Sequence, residues 1–258
     1  MGLCNILLYL KMKIRVVTLC KNEETIMPFF MQHYLPWVTD IVIFDGKSTD
    51  NTLNIAKKLG GDKVIIKRFP GDTGSVVDDH LFKKIRNDGW KEDALNYDWI
   101  IMCDADEFLY SKNLVAKLTE FKNTGITFPK TRGYEMISLQ HPTPGMPLIN
   151  QITRGVYSAV YNKSIIFDPH NVKELNYHEG GHMCSPVGNI VSSDDVLLLL
   201  HYRMLSYNYF VEKARLTVSR LSKLNLKNNW GYHNQRYAFN YTVNDYEAFY
   251  NTSIELIN

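Results

Sequence analysis

The sequence predicts an α/β fold in which a mostly parallel central sheet is flanked by helices and followed by a C-terminal helical extension. Three observations predict it. Short apolar runs of β-type residues alternate with segments of helical periodicity through the N-terminal half. The nearly all-apolar run Trp99 to Cys103 has the composition of a strand buried on both faces. The polar clusters Lys21-Asn22-Glu23, Asp45 to Asp50 and Asp104 to Glu107 each begin where an apolar run ends. Because ligands of open parallel sheets bind outside the carboxyl ends of the strands, these clusters are expected to meet at one crevice.

Taken in order, Ile14 to Cys20 reads as the first strand and Glu24 to Trp37 as a helix with its apolar face at Ile26, Phe29, Phe30 and Tyr34. Ile41 to Phe44 is a second strand, and Asp50 is a natural N-cap for a helix over Thr52 to Leu59, which Gly60-Gly61 ends. Lys63 to Lys67 is a third strand, Asp78 to Trp90 a third helix and Trp99 to Cys103 the fourth strand. Further on the pattern loosens into the short runs Gly125 to Pro129 and Ser158 to Asn162, where a mixed sheet edge is expected. Ser206 to Leu226 carries Phe210, Ala214, Val218 and Leu221 on one helical face, and a Tyr- and Asn-rich tail follows. The chain therefore divides into an extension over residues 1–11, a main domain over 12–204 and a helical segment over 205–258.

A chain of 258 residues with 45% apolar and 22% charged side chains can bury a sizeable core. Its net charge of +2, with dispersed Lys and Arg, lacks the basic stripe of a polyanion binder, so no nucleic-acid partner is expected. Cys4, Cys20, Cys103 and Cys184 form no C-x-x-C pair, which argues against a zinc knuckle or a disulfide framework; Cys20 and Cys103 read as buried thiols. The apolar stretch Ile6 to Leu10 is far below the roughly 18 residues of a spanning helix and has no basic region before it. No transmembrane segment is expected, and the setting reads as cytoplasmic and compatible with peripheral membrane contact.

Asp104, Asp106 and Glu107 place three carboxylates directly after a buried strand. Carboxylate oxygens suit Mg²⁺ or Mn²⁺, which are commonly held by one or two carboxylates together with substrate phosphates. Such an ion would offset the acidic charge and act as a Lewis acid on a departing phosphate. The plainer reading is that the acids cap a following helix.

The neighbouring motifs favour the metal. Thr18-Leu19-Cys20-Lys21-Asn22-Glu23, Asp45-Gly46-Lys47-Ser48-Thr49-Asp50-Asn51-Thr52 and Asp104-Ala105-Asp106-Glu107-Phe108 resemble, in order and spacing, the family 2 glycosyltransferases of the GT-A fold. The resemblance is to the branch with an Asp-x-Asp-Glu-Phe motif, and it extends to Arg86-Asn87, Trp90, His201-Tyr202-Arg203, Phe210 and Lys213. It implies a Rossmann-like nucleotide half over residues 12–107 and an acceptor half over 108–204. By the same resemblance, Asn22, Glu23 and Asp45 line the base and ribose pocket, with Asp45 the foremost base contact, and Thr18 and Ala105 belong to that nucleotide-sugar site. Ser48 and Asp50 shape the loop. Asp104 faces the ribose or the metal, Asp106 is the direct ligand of Mn²⁺ or Mg²⁺, and His201 is a further ligand. Arg86 is placed to pair with phosphate through its guanidinium fork, and Asp79 either fixes that Arg or reaches the nucleotide.

A second cluster comprises His170, His178, Glu179 and His182. The order His178-Glu179-Gly180-Gly181-His182 has the H-E-x-x-H spacing of zinc-binding helices, but Gly-Gly disfavours a helix. A loop near the acceptor, binding sugar hydroxyls or phosphate, is the better reading. An inverting transfer needs a general base, for which Glu135 and Glu179 are the two candidates. The expected reaction is hexosyltransferase-like, from a nucleotide-diphosphate sugar, a UDP-sugar foremost, to a hydroxyl of a glycan or lipid-linked acceptor. The rivals are a sugar nucleotidyltransferase, which would want a Gly-rich phosphate loop where Thr18 to Glu23 has none, and a non-catalytic glycan-binding module of the same fold.

Overall fold

A computed structural model describes residues 12–69 and 77–257, so the expected extension over residues 1–11, with Cys4, lies outside the described residues. The chain begins β1 (Ile14–Cys20), α1 (Met27–Tyr34), β2 (Asp40–Asp45), α2 (Thr52–Gly60), β3 (Val64–Arg68), α3 (Asp79–Asp88) and β4 (Trp99–Asp104). It continues β5 (Glu107–Tyr110), α4 (Leu114–Asn123), β6 (Lys130–Ile137), β7 (Arg154–Tyr157), β8 (Ile166–Phe167), β9 (Val172–Glu174), β10 (Val187–Gly188) and β11 (Val196–Met204). Helices α5 (Tyr207–Val218), α6 (Lys223–Lys227), α7 (His233–Phe239) and α8 (Val243–Asn251) precede a last short strand, β12 (Ile254–Glu255).

The expected α/β architecture is present. Strands β3-β2-β1-β4 are mutually parallel, and β8 closes the β4 edge in antiparallel sense. Every residue of β1 is buried, as a central strand covered on both faces requires. Alternation along the strands sorts the core into two layers. Val16, Ile41, Ile43 and Ile101 pack with Ile26, Phe30, Met31 and Tyr34 around α1, whereas Val17, Leu19, Val42 and Met102 pack with Ile85, Trp90 and Phe167. A second, mixed sheet has the order β12-β7-β6-β11-β5.

Several boundaries differ from expectation for local reasons. Helix α1 starts only at Met27, because Pro28 is suited to a first turn and would leave a helix begun at Glu24 without a backbone donor. The N-cap of α2 is Asn51, not Asp50, and it makes no side-chain cap bond; Asp50, one residue earlier, accepts from the Thr52 backbone at 3.0 Å. The run Gly125 to Pro129 precedes a strand instead of forming one, with Thr127 and Phe128 donating to the Val191 carbonyl. Ser158 to Asn162 is a short 3-10 turn over Ala159–Tyr161. The long helix expected over Ser206 to Leu226 breaks after Val218, because Val77 bonds the Arg220 carbonyl, Ser222 bonds the Val77 carbonyl, and Ser222 then caps α6. Cys20 and Cys103 are buried thiols, as expected.

Candidate functional site

Asp104 is the last residue of β4 and Glu107 the first of β5, so Ala105-Asp106 is the turn by which the chain leaves the parallel sheet and enters the mixed one. No helix follows, which removes the helix-capping role for these acids. Glu107 is buried and turns back, its Oε2 accepting from the Asp104 backbone at 3.0 Å while Lys163 pairs with its Oε1. Asp104 and Asp106 instead project to a cavity of ≈ 800 Å³.

The cavity collects residues from distant parts of the chain. The loop after β1 supplies Lys21, Asn22 and Glu23; α3 supplies Asp79 and Arg86; the sheet-to-sheet turn supplies Asp104, Ala105 and Asp106. The mixed sheet supplies Glu135, His201 and Arg203, and α5 supplies Lys213. The loops after β1 and β2 are locked together: the Asn22 backbone donates to Ser48 Oγ at 2.9 Å, Thr49 donates to Asn22 Oδ1 at 2.8 Å, and Glu23 donates to Thr52 Oγ1 at 2.7 Å. Asn22 holds a left-handed φ of 54°, a conformation Asn tolerates better than most residues.

Asp104, Glu23 and Asp106 each have a cationic partner. Arg86 donates to Asp104 Oδ1 at 2.6 Å, and Lys163 lies 3.4 Å from Asp104 Oδ2. Lys213 bridges Glu23 Oε2 at 2.8 Å and Asp106 Oδ2 at 3.2 Å. Burial works to raise the Asp106 carboxyl, but Lys213 and His201 outweigh it and hold the group at about 2. Burial likewise opposes charge on His201, yet Glu135 and Asp106 push its ring above the usual histidine value. On neighbouring parallel strands His201 sits in register with Glu135, and its Nδ1 lies 3.0 Å from Glu135 Oε1. The other ring nitrogen, Nε2, faces Asp106 Oδ1 at 3.6 Å, and Tyr161 stacks on the imidazole with ring centroids 4.1 Å apart.

Not every expected residue reaches this place. Asp45 is 1% exposed, and its carboxylate closes a turn by accepting from the Ser48 backbone at 3.0 Å; it is not part of the cavity wall. Thr18 is fully buried in β1, its hydroxyl without a hydrogen-bond partner among the described residues, and it too stays behind the wall. Asp79 holds Asn225, whose Nδ2 donates to it at 3.1 Å, while Arg86 goes to Asp104. Glu179 forms a half-exposed ion pair with Lys83 outside the wall. His178-Glu179-Gly180-Gly181-His182 is a turn, as the Gly pair suggested, with Gly180 and Gly181 at φ 81° and 68°. A Cβ on Gly181 would come within 2.8 Å of Arg86 Nε, so this glycine lets the turn close over the guanidinium. His182 lines the cavity, and burial, followed by the nearby Lys163, lowers its ring to about 4. His170 lies elsewhere, its backbone bonded to Asp168.

A divalent cation finds a partial donor set. Asp106 Oδ1 and the Nε2 of an imidazole steered by a carboxylate are suitable ligands, and the His201–Glu135 bond is the kind of outer contact that orients a metal-binding histidine. Asp104 faces the same cavity, but its two oxygens are taken by Arg86 and Lys163. Among the described residues no group of three or more His, Cys, Asp or Glu is near enough to hold a metal. Two protein ligands completed by phosphate and water fit the chemistry; a cage of Asp104, Asp106 and His201 does not form.

Lys163 and Tyr161 escaped sequence reasoning. Both lie in an irregular connection where no periodicity marks an inward side chain, and the polar Asn162-Lys163-Ser164 gives no sign that Lys163 is 4% exposed.

No protein-family model matches the chain. It is similar to an uncharacterised glycosyltransferase of Rickettsia conorii, 32% identical over 102 residues, and to one of Rickettsia typhi, 31% identical over 97 residues. These matches cover 40% and 38% of this chain, and the chain spans only 31% and 29% of the length of those relatives. Among solved structures, S. aureus TarS 1-349 is similar at 13% identity and a TM-score of 0.42, over 90% of this chain and 74% of that one. Glucosyl-3-phosphoglycerate synthase from Mycobacterium tuberculosis, in complex with Mn²⁺, uridine diphosphate and phosphoglyceric acid, is similar at 19% identity and a TM-score of 0.33, over 49% of this chain and 44% of that one.

Proposed function

We propose that the chain is a GT-A glycosyltransferase that takes a sugar from a nucleotide-diphosphate sugar and passes it to a hydroxyl of a glycan or lipid-linked acceptor. The observation that carries the proposal is the meeting of Asn22 and Glu23, Asp104 to Asp106, and His201 with Glu135 on one cavity at the strand ends. The partial likeness to two proteins named glycosyltransferases supports the same reading. UDP-sugars are the first donors to test.

In this reading Asp106 and His201 hold Mn²⁺ or Mg²⁺, which supplies positive charge to the departing nucleoside diphosphate. Asn22 and Glu23 face the nucleoside, and Asp104, held by Arg86 and Lys163, faces the ribose side. Arg203 and Lys213 keep the wall cationic where the diphosphate separates. Of the two candidate bases, Glu135 is the one in the cavity wall. Its Oε1 is bonded to His201, and Oε2 receives the acceptor proton as the anomeric carbon is attacked, with inversion of configuration.

A melting experiment tests the binding half of the proposal. UDP with Mn²⁺ is expected to raise the melting temperature, since a ligand that binds only the folded state at a hundred times its Kd stabilises by about 2.7 kcal/mol. Absence of any shift with UDP, GDP or CMP, with and without Mn²⁺, would remove the nucleotide from the reading.

A further inference from the structure

Positive charge is unevenly distributed along the chain. The stretch from Arg203 to Asn244 carries seven Lys and Arg against a single carboxylate, Glu212, although the whole chain is only +2. Arg203, Lys213, Arg220 and Arg236 line the cavity. Lys223 and Lys227 do not; both are exposed on α6.

Helix α6 is short, but its orientation is fixed. Its Asn225 is fully buried and exchanges hydrogen bonds with Asp79, accepting from the Asp79 backbone at 3.2 Å and donating to Asp79 Oδ2 at 3.1 Å. Ser222 Oγ accepts from the Asn225 backbone at 3.0 Å and holds the first turn. With Asn225 inward, a rotation of about 100° per residue sends Lys223 and Lys227 to the opposite side and Leu224 and Leu226 to its two flanks. The exposures agree, with Leu224 at 40% and Leu226 at 52%, and the following Tyr232 is 62% exposed.

We infer that this outward face of α6 docks on an anionic lipid surface. Two ammonium groups between two exposed leucines match such a surface: the leucines enter the headgroup boundary while the lysine stems extend to lipid phosphates. A polyanion in solution would satisfy the lysines and leave the leucines in water. Asp79, which anchors Asn225, is itself a cavity residue, so docking would bring the cavity rim to the interface. The docking stands on this surface alone and is independent of the proposed activity.

Co-sedimentation of the full chain with vesicles tests it, using phosphatidylcholine alone and phosphatidylcholine mixed with phosphatidylglycerol, each at low and high salt. Binding is expected on the mixed vesicles only, falling with salt. Lys223→Gln and Lys227→Gln are each expected to weaken it about five-fold. Leu224→Ser with Leu226→Ser is expected to weaken it at least roughly ten-fold, with an unchanged melting temperature showing that the fold survives. No association with the mixed vesicles would overturn the inference. So would association that heparin competes away and the leucine changes leave intact, which marks a general polyanion site. A concentration-dependent dimer that the leucine changes dissociate would assign the face to a second copy of the chain instead.

Discussion

His201 and Glu135 sit side by side on parallel strands with Nδ1 and Oε1 3.0 Å apart, which leaves the imidazole Nε2 aimed at Asp106. The bond gives Glu135 a positioning task beside its proposed proton-accepting one. Glu135→Gln separates the two, since the amide oxygen still accepts from His201 but cannot take a proton. Turnover is expected to fall by about 10²- to 10⁴-fold with little change in the Mn²⁺ concentration needed for half-maximal rate. A variant restored to the parent rate by excess Mn²⁺ would confine Glu135 to holding His201.

Lys213 joins Glu23 to Asp106, so a cation entering between Asp106 and His201 competes with an ammonium already there. Lys213→Met removes the competitor and leaves the buried Asp106 carboxylate and the partly buried Glu23 carboxylate without their shared cation. The loss of stability in metal-free buffer is expected to be on the order of 3 kcal/mol. Added Mn²⁺ should then raise the melting temperature of the variant more than that of the parent, and an equal rise in both would show that Lys213 and the ion do not share Asp106.

A pH effect on stability is expected from His33, remote from the cavity. Its Nε2 lies 3.0 Å from the Leu109 carbonyl, and burial lowers its ring from the ordinary histidine value of 6.5 to about 4. A lowered histidine binds its proton more weakly in the folded chain than in the unfolded one. Stability is therefore full above the unfolded value and falls on acidification between about 6.5 and 4, by up to about 3 kcal/mol. Urea unfolding across this range measures the slope, which His33→Gln should flatten; an unaltered slope would place the acid sensitivity elsewhere.

Gly181 combines a left-handed φ with close approach to Arg86. Gly181→Ala is expected to cost about 1 to 3 kcal/mol, from the positive φ and from displacement of the guanidinium that holds Asp104. Denaturant midpoints of the variant and the parent give the value directly.

The parallel sheet was legible in the sequence because its strands are buried on both faces and leave uninterrupted apolar runs, as in Trp99 to Cys103. The convergence of Asn22, Glu23, Asp104 and Asp106 followed from strand order alone. Asp45 shows a local ambiguity: an Asp at the end of a strand can point to ligand or close its own turn, and in the folded chain its carboxylate accepts from the Ser48 backbone. The counter-charges were invisible in the same way. Arg86 comes from a helix, Lys163 from an irregular connection and Lys213 from the C-terminal segment, and only the folded chain shows that each ends on an acid of the site. Strand β11 runs through Met204 and carries His201 into register with Glu135, a pairing across strands that no sequence period marks.

The most direct measurement is the release of UDP from a panel of UDP-sugars with Mn²⁺, by the parent chain and by Asp106→Ala in parallel. The expected result is release from at least one donor by the parent and a loss of about 100-fold or more in the variant. Equal release by both proteins would contradict the placement of Asp106 at the reacting centre.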